Sequence, residues 1–186
     1  GKRVMEFVKK LLECVEYKNR LRKLMEMGLD RVYCRHDLDH FLHVARIACL
    51  LSVEQGLELD KEQVYLCALL HDLGRVEEYG AGISHAEASA AAAGEILRVL
   101  GYDEKKAREI CYAISHHSGR VNLREQRGRS GESAKKESDE MARDRRELLA
   151  RVIALADQLS RNCFACEARE SCKWKDEEKT TGGDLI

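Results

Sequence analysis

Apolar residues recur along most of the chain with the spacing of helix faces, and nowhere do they alternate as a strand requires. Val4, Phe7, Val8, Leu11, Leu12 and Val15 fall on one stripe, which predicts a helix over about residues 3–27, stopped by Gly28. A second helix is expected over about 37–55, ended by Gly56. Asp60 reads as the N-cap of a third, about 61–72, which closes on His71-Asp72-Leu73-Gly74. Residues 77–83, with Gly80 and Gly82, read as a loop. Ser84 then reads as the cap of an alanine-rich helix over about 85–99, whose small side chains allow close packing. Asp103 opens a fifth helix to about His117, and a sixth is expected over about 144–161. The fold class is therefore all-α, a bundle of about six main helices without strands or internal repeats.

Two segments break the pattern. Residues 118–141 contain RGRSGESAKKESDE, charged and without an apolar period, which predicts a flexible charged insertion. Residues 163–186 form a tail with three cysteines and a Gly-Gly pair. The expected organisation is one domain over 1–162, carrying that insertion, followed by a Cys-containing tail over 163–186.

Composition narrows the picture. At 44% hydrophobic and 35% charged, 186 residues can build one core under a heavily charged surface. The absence of Pro permits long uninterrupted helices. A net charge of −1 does not advertise a nucleic-acid binder, although local basic clusters could still serve one. No apolar run approaches the roughly 18–20 residues of a membrane span, so no membrane partner is expected. The N-terminus leads into a charged amphipathic stretch rather than a signal peptide. Cys14, Cys34, Cys49, Cys67 and Cys111 are scattered singly, as in a reducing cytoplasm, the expected location. Nothing in the pattern selects an oligomeric state.

The seven histidines carry the chemistry. In Asp39-His40-Phe41-Leu42-His43, Asp39 and His43 share a helix face, as do His40 and His43. Leu69-Leu70-His71-Asp72 closes an apolar helix with a vicinal imidazole and carboxylate, and the two oxygens of Asp72 could bridge two cations. Burying such a pair without metal or partner would be costly. His85 opens one helix, His116-His117 closes another, and Asp157 puts one carboxylate into an apolar face. Neutral imidazoles with a few carboxylates suit Fe, Mn, Co, Ni or Zn. Two such ions about 3.5–4 Å apart would polarise a phosphoryl oxygen and acidify a bridging water.

The order H…HD…H…HH…D resembles the HD superfamily of metal-dependent phosphohydrolases over roughly residues 37–161. The matching segments are HVARIA (43–48), LLHDLGR (69–75), SHAEASA (84–90), AISHHSGR (113–120) and LADQLSR (155–161). The resemblance implies an HD-domain helical bundle. It implies His43, His71, Asp72 and Asp157 as ligands of a first metal, with Asp72 bridging to a second held by His85 and one of His116 or His117. Likeness to the diadenosine-polyphosphate hydrolases of that superfamily favours His117. Arg75 stands where Lys is frequent and can still bind phosphate in bidentate fashion. The GYP segment of the cyclic-di-GMP phosphodiesterases is absent, which turns expectation away from their substrate.

The expected function is a metal-dependent hydrolase of phosphate ester or pyrophosphate bonds in a nucleotide, using a metal-activated hydroxide and a divalent transition metal, two per chain. Asp72, Arg75, His116 and Arg120 are the candidate catalytic residues, with Arg46 a structural partner. His40 could orient water or substrate, and His36 reads as surface. The alternatives are an HD-type nuclease acting on single-stranded RNA or DNA along Arg120–Arg129, a mixed-valent di-iron oxygenase, and a non-catalytic binding module. In the tail, Cys163, Cys166 and Cys172 have the C-x2-C-x5-C spacing of a second metal site, with Cys34 the candidate fourth ligand. A structural Zn, an iron–sulfur cluster and reduced thiols are the competing readings there.

Overall fold

The computed structural model describes residues 4–117 and 134–184. They form eight α-helices: α1 (Glu6–Glu13), α2 (Val15–Met27), α3 (Leu38–Glu54), α4 (Lys61–Leu70), α5 (Arg75–Ala81), α6 (His85–Val99), α7 (Glu104–Ser115) and α8 (Ala134–Leu159). Single 3-10 turns follow at Cys163–Ala165 and Asp176–Glu178. There is no strand among the described residues, so the chain is an all-α bundle. No described helix is long and apolar enough to cross a membrane.

Helix α4 is the axle. Val64, Leu66, Cys67, Ala68, Leu69 and Leu70 are all buried, so its apolar residues leave no solvent face over the last two turns. Its one buried amide, Gln63, donates to the Glu109 carboxylate at 2.8 Å, which satisfies both groups. Helices α3, α7 and α8 pack around α4, and α6 lies along α7. The start of α4 is fixed by Asp60, whose carboxylate accepts from the Glu62 N–H at 3.1 Å and from Lys106 Nζ at 2.8 Å. Asp37 and Asp103 cap α3 and α7 in the same way, accepting from the N–H groups of His40 and Lys106 at 2.9 Å each.

Three sequence expectations need correction. The helix expected over 3–27 is two helices, because Cys14 is extended at φ −64°, ψ 128°. The turn lets α1 bury Val8 and Leu11 beside α4, while α2 buries Tyr17 and Leu24 toward α5. One straight rod could not reach both. The loop expected over 77–83 is helix α5, which Gly82 stops in the left-handed region at φ 69°. The last long helix begins at Ala134 rather than near 144. Residues 118–133, the greater part of the expected insertion, lie outside the described residues.

Tyr17 is 1% exposed and its hydroxyl has no hydrogen-bond partner among the described residues. Tyr17→Phe should therefore leave stability unchanged or raise it by about 1 kcal/mol, read as the midpoint of urea unfolding. A marked loss would mean that the hydroxyl is bonded in solution.

The fold brings one end of the bundle together. The lead-in and first turn of α3, the C-terminus of α4, the starts of α5 and α6, the C-terminus of α7 and the last turns of α8 all meet there.

Candidate metal centre

His71 and Asp72 follow directly on α4 and are fully buried. The apolar run that makes α4 central also carries this doublet into the interior, where an ionised carboxylate needs partners. Asp72 has them on every side. Arg75 Nε lies 3.0 Å from Oδ2, and His36 Nε2 and His71 Nε2 each lie 3.5 Å from the same oxygen. His85 Nε2 and His117 Nε2 each lie 3.8 Å from Oδ1. Asp157, from α8, completes the other flank, with Oδ1 3.3 Å from His40 Nε2 and 3.8 Å from His71 Nε2.

The outward nitrogens are tethered. His71 Nδ1 donates to the Ala68 carbonyl at 2.7 Å, and His117 Nδ1 to the Ile114 carbonyl at 2.5 Å. His85 Nδ1 pairs with Glu78 Oε1 at 3.1 Å. His36 Nδ1 pairs with the Tyr79 hydroxyl at 2.9 Å, and His40 Nδ1 with the Ser160 hydroxyl at 3.4 Å. For His71, His85 and His117, whose partners can only accept, the proton sits on Nδ1 and Nε2 is turned inward, the arrangement typical of metal-binding imidazoles.

The electrostatics agree with that geometry. Burial works to raise the Asp72 pKa, but His71, Arg75 and His36 outweigh it and hold the carboxyl well below its usual range. Burial likewise opposes ionisation of Asp157, and His40 and His71 overcome it. His117 is pushed down to about 4 by burial, reinforced by the neighbouring His71. It is therefore a neutral imidazole near pH 7, the form a metal takes.

The residues fit a metal on a direct observation. His40 Nε2, His71 Nε2 and both Asp72 oxygens are buried without a hydrogen-bond partner. Apart from the Arg75 ion pair on Oδ2, these atoms face one another, and a cation among them would satisfy the set. Two triads of ligand atoms lie within 4.8 Å of one another: His40–His71–Asp72 and Asp72–His85–His117. They share Asp72, as a carboxylate bridging two ions would.

The expected residues divide accordingly. His71, Asp72, His85, His117 and Asp157 converge. His43, expected as a first-metal ligand, does not: it is exposed on α3, and His40 stands at the centre in its place. Core positions Phe41, Val44, Ala48 and Leu51 explain why. At 100° per residue His40 borders that stripe, in line with Val44, and His43 lies well outside it. His116 is turned away, stacked on Tyr112 with ring centroids 4.0 Å apart. Arg75, expected to bind phosphate, is engaged by Asp72 and by Glu78 at 2.8 Å. Arg120 lies outside the described residues. His36, read as surface, is packed against Asp72, and Glu78 and Tyr79 support the imidazoles from α5. Those three were hidden behind the reading of α5 as a loop.

The corrected placement is testable. His40→Ala should weaken metal binding at this centre by roughly 100-fold or more, whereas His43→Ala should bind within about twofold of the unchanged protein. Titration of the stripped proteins with Mn(II) separates them, and the reverse order would refute the placement of His40.

Comparisons with known proteins place this geometry. The model of the HD domain family matches residues 37–162. An uncharacterized protein of Clostridium beijerinckii is 33% identical over 169 residues, covering 91% of this chain and 92% of that one. An uncharacterized protein of Methanocaldococcus jannaschii is 42% identical over 73 residues, 38% of this chain and 40% of its own. The crystal structure of a predicted HD superfamily hydrolase from an uncultured Thermotogales bacterium aligns with a TM-score of 0.55 at 22% identity. That alignment covers 92% of this chain and 86% of that one, and at this identity the likeness is one of fold. With the family model spanning the helices that carry every residue of both triads, the chain belongs to the HD domain family.

Proposed function

We propose that the protein is a metal-dependent phosphohydrolase that cleaves phosphate ester or pyrophosphate bonds, with a nucleotide as substrate. The observation that carries this reading is Asp72, fully buried and shared by two groups of imidazoles whose ligand atoms lie within 4.8 Å of one another. His40, His71, Asp72 and Asp157 would hold one divalent transition metal, and Asp72, His85 and His117 a second. Such ions supply Lewis-acid polarisation of a phosphoryl oxygen and lower the pKa of water toward neutrality.

The rest is the work of the chain itself. The Ile114 carbonyl fixes the tautomer of His117, so its Nε2 is available without a change of protonation, while the Ala68 carbonyl orients His71, whose Nε2 proton, favoured by Asp72 and Asp157, a bound metal would displace. Glu78 holds His85 on one side and Arg75 on the other, which ties the start of α6 to α5. Arg75 balances the Asp72 charge and so keeps the carboxylate ionised in a dry site. It is a positioning residue in this reading.

The test is a substrate panel. Protein loaded in turn with Mn, Fe, Co, Ni and Zn is incubated with nucleoside monophosphates, dinucleoside polyphosphates and an aryl phosphodiester. Release of phosphate or nucleotide that a chelator stops is the expected result. No hydrolysis of any phosphate compound with any of the five metals would overturn the proposal.

A further inference from the structure

A second cluster of metal-binding groups lies beside the His–Asp centre. Cys163, Cys166 and Cys172 of the tail and Cys34, ahead of α3, line one cavity of about 370 Å³, and His40 of α3 lines the same cavity. All four thiols are free, Cys163 buried and the other three half-buried. Cys14, Cys49, Cys67 and Cys111, by contrast, are spread along α-helices or their boundaries.

The fold takes pains to bring these four together. The Tyr33 hydroxyl, beside Cys34, donates to the Ser171 carbonyl, beside Cys172, at 3.1 Å. The Arg161 guanidinium lies over the Trp174 ring, 4.4 Å from its centroid. The Thr180 hydroxyl accepts from the Cys163 N–H at 3.1 Å and donates to the Arg161 carbonyl. Arg169 Nη1 donates to the Cys163 carbonyl at 3.2 Å. Burial raises the Cys34 pKa, and the neighbouring Cys163 and Cys172 raise it further. As a thiol Cys34 therefore resists ionisation, and a bound cation would reverse that.

The tail has little apolar core of its own among the described residues. Beyond α8 its regular structure is two 3-10 turns, and its buried apolar residues are Cys163 and Ala168. A segment so poor in core is held in an ordered path by cross-links or metal.

We propose that Cys34, Cys163, Cys166 and Cys172 are the four thiolate ligands of one thiophilic metal centre, an iron–sulfur cluster or a zinc ion, that fastens the tail to the lead-in of α3. A single zinc with Zn–S bonds of about 2.3 Å would draw the sulfurs to about 3.8 Å apart. The ligand triads within 4.8 Å among the described residues are those of the His–Asp centre, so the thiols stand wider than that. Their spread round a roomy cavity suits the multinuclear cluster. Cys34 is two residues before His36, so the centre would also hold the segment that presents His36 to Asp72. The proposal does not depend on what reaction the His–Asp centre performs.

The experiment is metal and sulfide analysis of protein purified without oxygen. An Asp72→Ala background removes the carboxylate common to both His–Asp triads, so the metal that remains reports on the thiols. Iron and acid-labile sulfide in near-equal amounts are expected, roughly two to four of each per chain. They should fall at least fivefold in Cys166→Ser and in Cys172→Ser. About one zinc per chain, lost from the same two variants, would support the same centre in its single-ion form. Neither sulfide-bound iron nor zinc that tracks these cysteines would overturn it. Alkylation of the unmutated protein gives a readout independent of any variant's folding. Cys34, Cys163, Cys166 and Cys172 should resist the reagent until metal is stripped, while Cys14 reacts throughout. Equal reactivity from the outset would refute the centre.

Discussion

Asp72→Ala should abolish phosphate-bond hydrolysis, with a loss of roughly 10³-fold or more, while the helical content stays close to that of the unchanged protein. The carboxylate is fully buried, and both triads of ligand atoms pass through it. Removing it would take a ligand from each of the two proposed metal positions at once, whereas His40→Ala or His85→Ala would take one from a single position. The folded state loses less than the site does. Arg75 keeps Glu78 at 2.8 Å, so the guanidinium is not left alone in the interior. Asp72→Asn separates charge from shape: it fills the same space and should be as inactive as the alanine variant. Metal retention and turnover are measured together, with far-ultraviolet circular dichroism as the control for folding. Full turnover in Asp72→Ala would place the chemistry elsewhere.

Gly74→Ala should destabilise the protein by about 3 kcal/mol or more, lowering Tm by roughly 6–12 °C. The reason is space. Gly74 has φ −75°, which any residue adopts, so backbone freedom is not what glycine supplies here. A Cβ at this position would come within 3.0 Å of backbone atoms of His85, Ala88 and Ser89 on α6. Backbone cannot swing aside as a side chain can, so α6 would have to retreat. The Gly74 N–H also donates to the Ser89 hydroxyl at 2.8 Å, a buried bond that such a retreat would stretch. Since His85 is the first residue of α6, metal affinity should fall in the same variant even below its Tm. Thermal unfolding with Mn(II) titration reads both, and an unchanged Tm would show that α6 is less closely seated than described here.

The two variants also show what the sequence discloses and what it does not. The doublet His71-Asp72 is visible because it ends an apolar run, a place where polar groups need a reason. His85 and Asp157 stand out for the same kind of reason, each a polar group at a helix end or in an apolar face, and so does the pair His116-His117, of which the residues alone do not say which turns inward. His40 and His43 are harder. Both sit in one short segment, and the choice turns on which side of α3 faces the core, a question that Phe41, Val44 and Leu51 answer only when their phase is followed carefully. Helix α5 was obscured by Gly80 and Gly82, which ordinarily punctuate loops; only Gly82 does so here, as the stop. With α5 unseen, Glu78 and Tyr79 had no helix to place them beside His85 and His36. The break at Cys14 carries neither Gly nor Pro, and is set by the different directions in which Leu11 and Tyr17 find the core. Gly74 was legible as a residue after the doublet, but its contact with α6 is tertiary and has no local signature.

One buried carboxylate, Asp72, is shared by both triads of ligand atoms, and metal stoichiometry with Cys34 and the three tail cysteines blocked by alkylation after stripping tests the proposed two-metal centre most directly. Reloading with Mn(II) should restore close to two ions per chain together with hydrolysis of a nucleotide phosphate bond, and His85→Ala should reduce the count to one. A protein that takes up no Mn(II) under these conditions and hydrolyses no phosphate compound would contradict it.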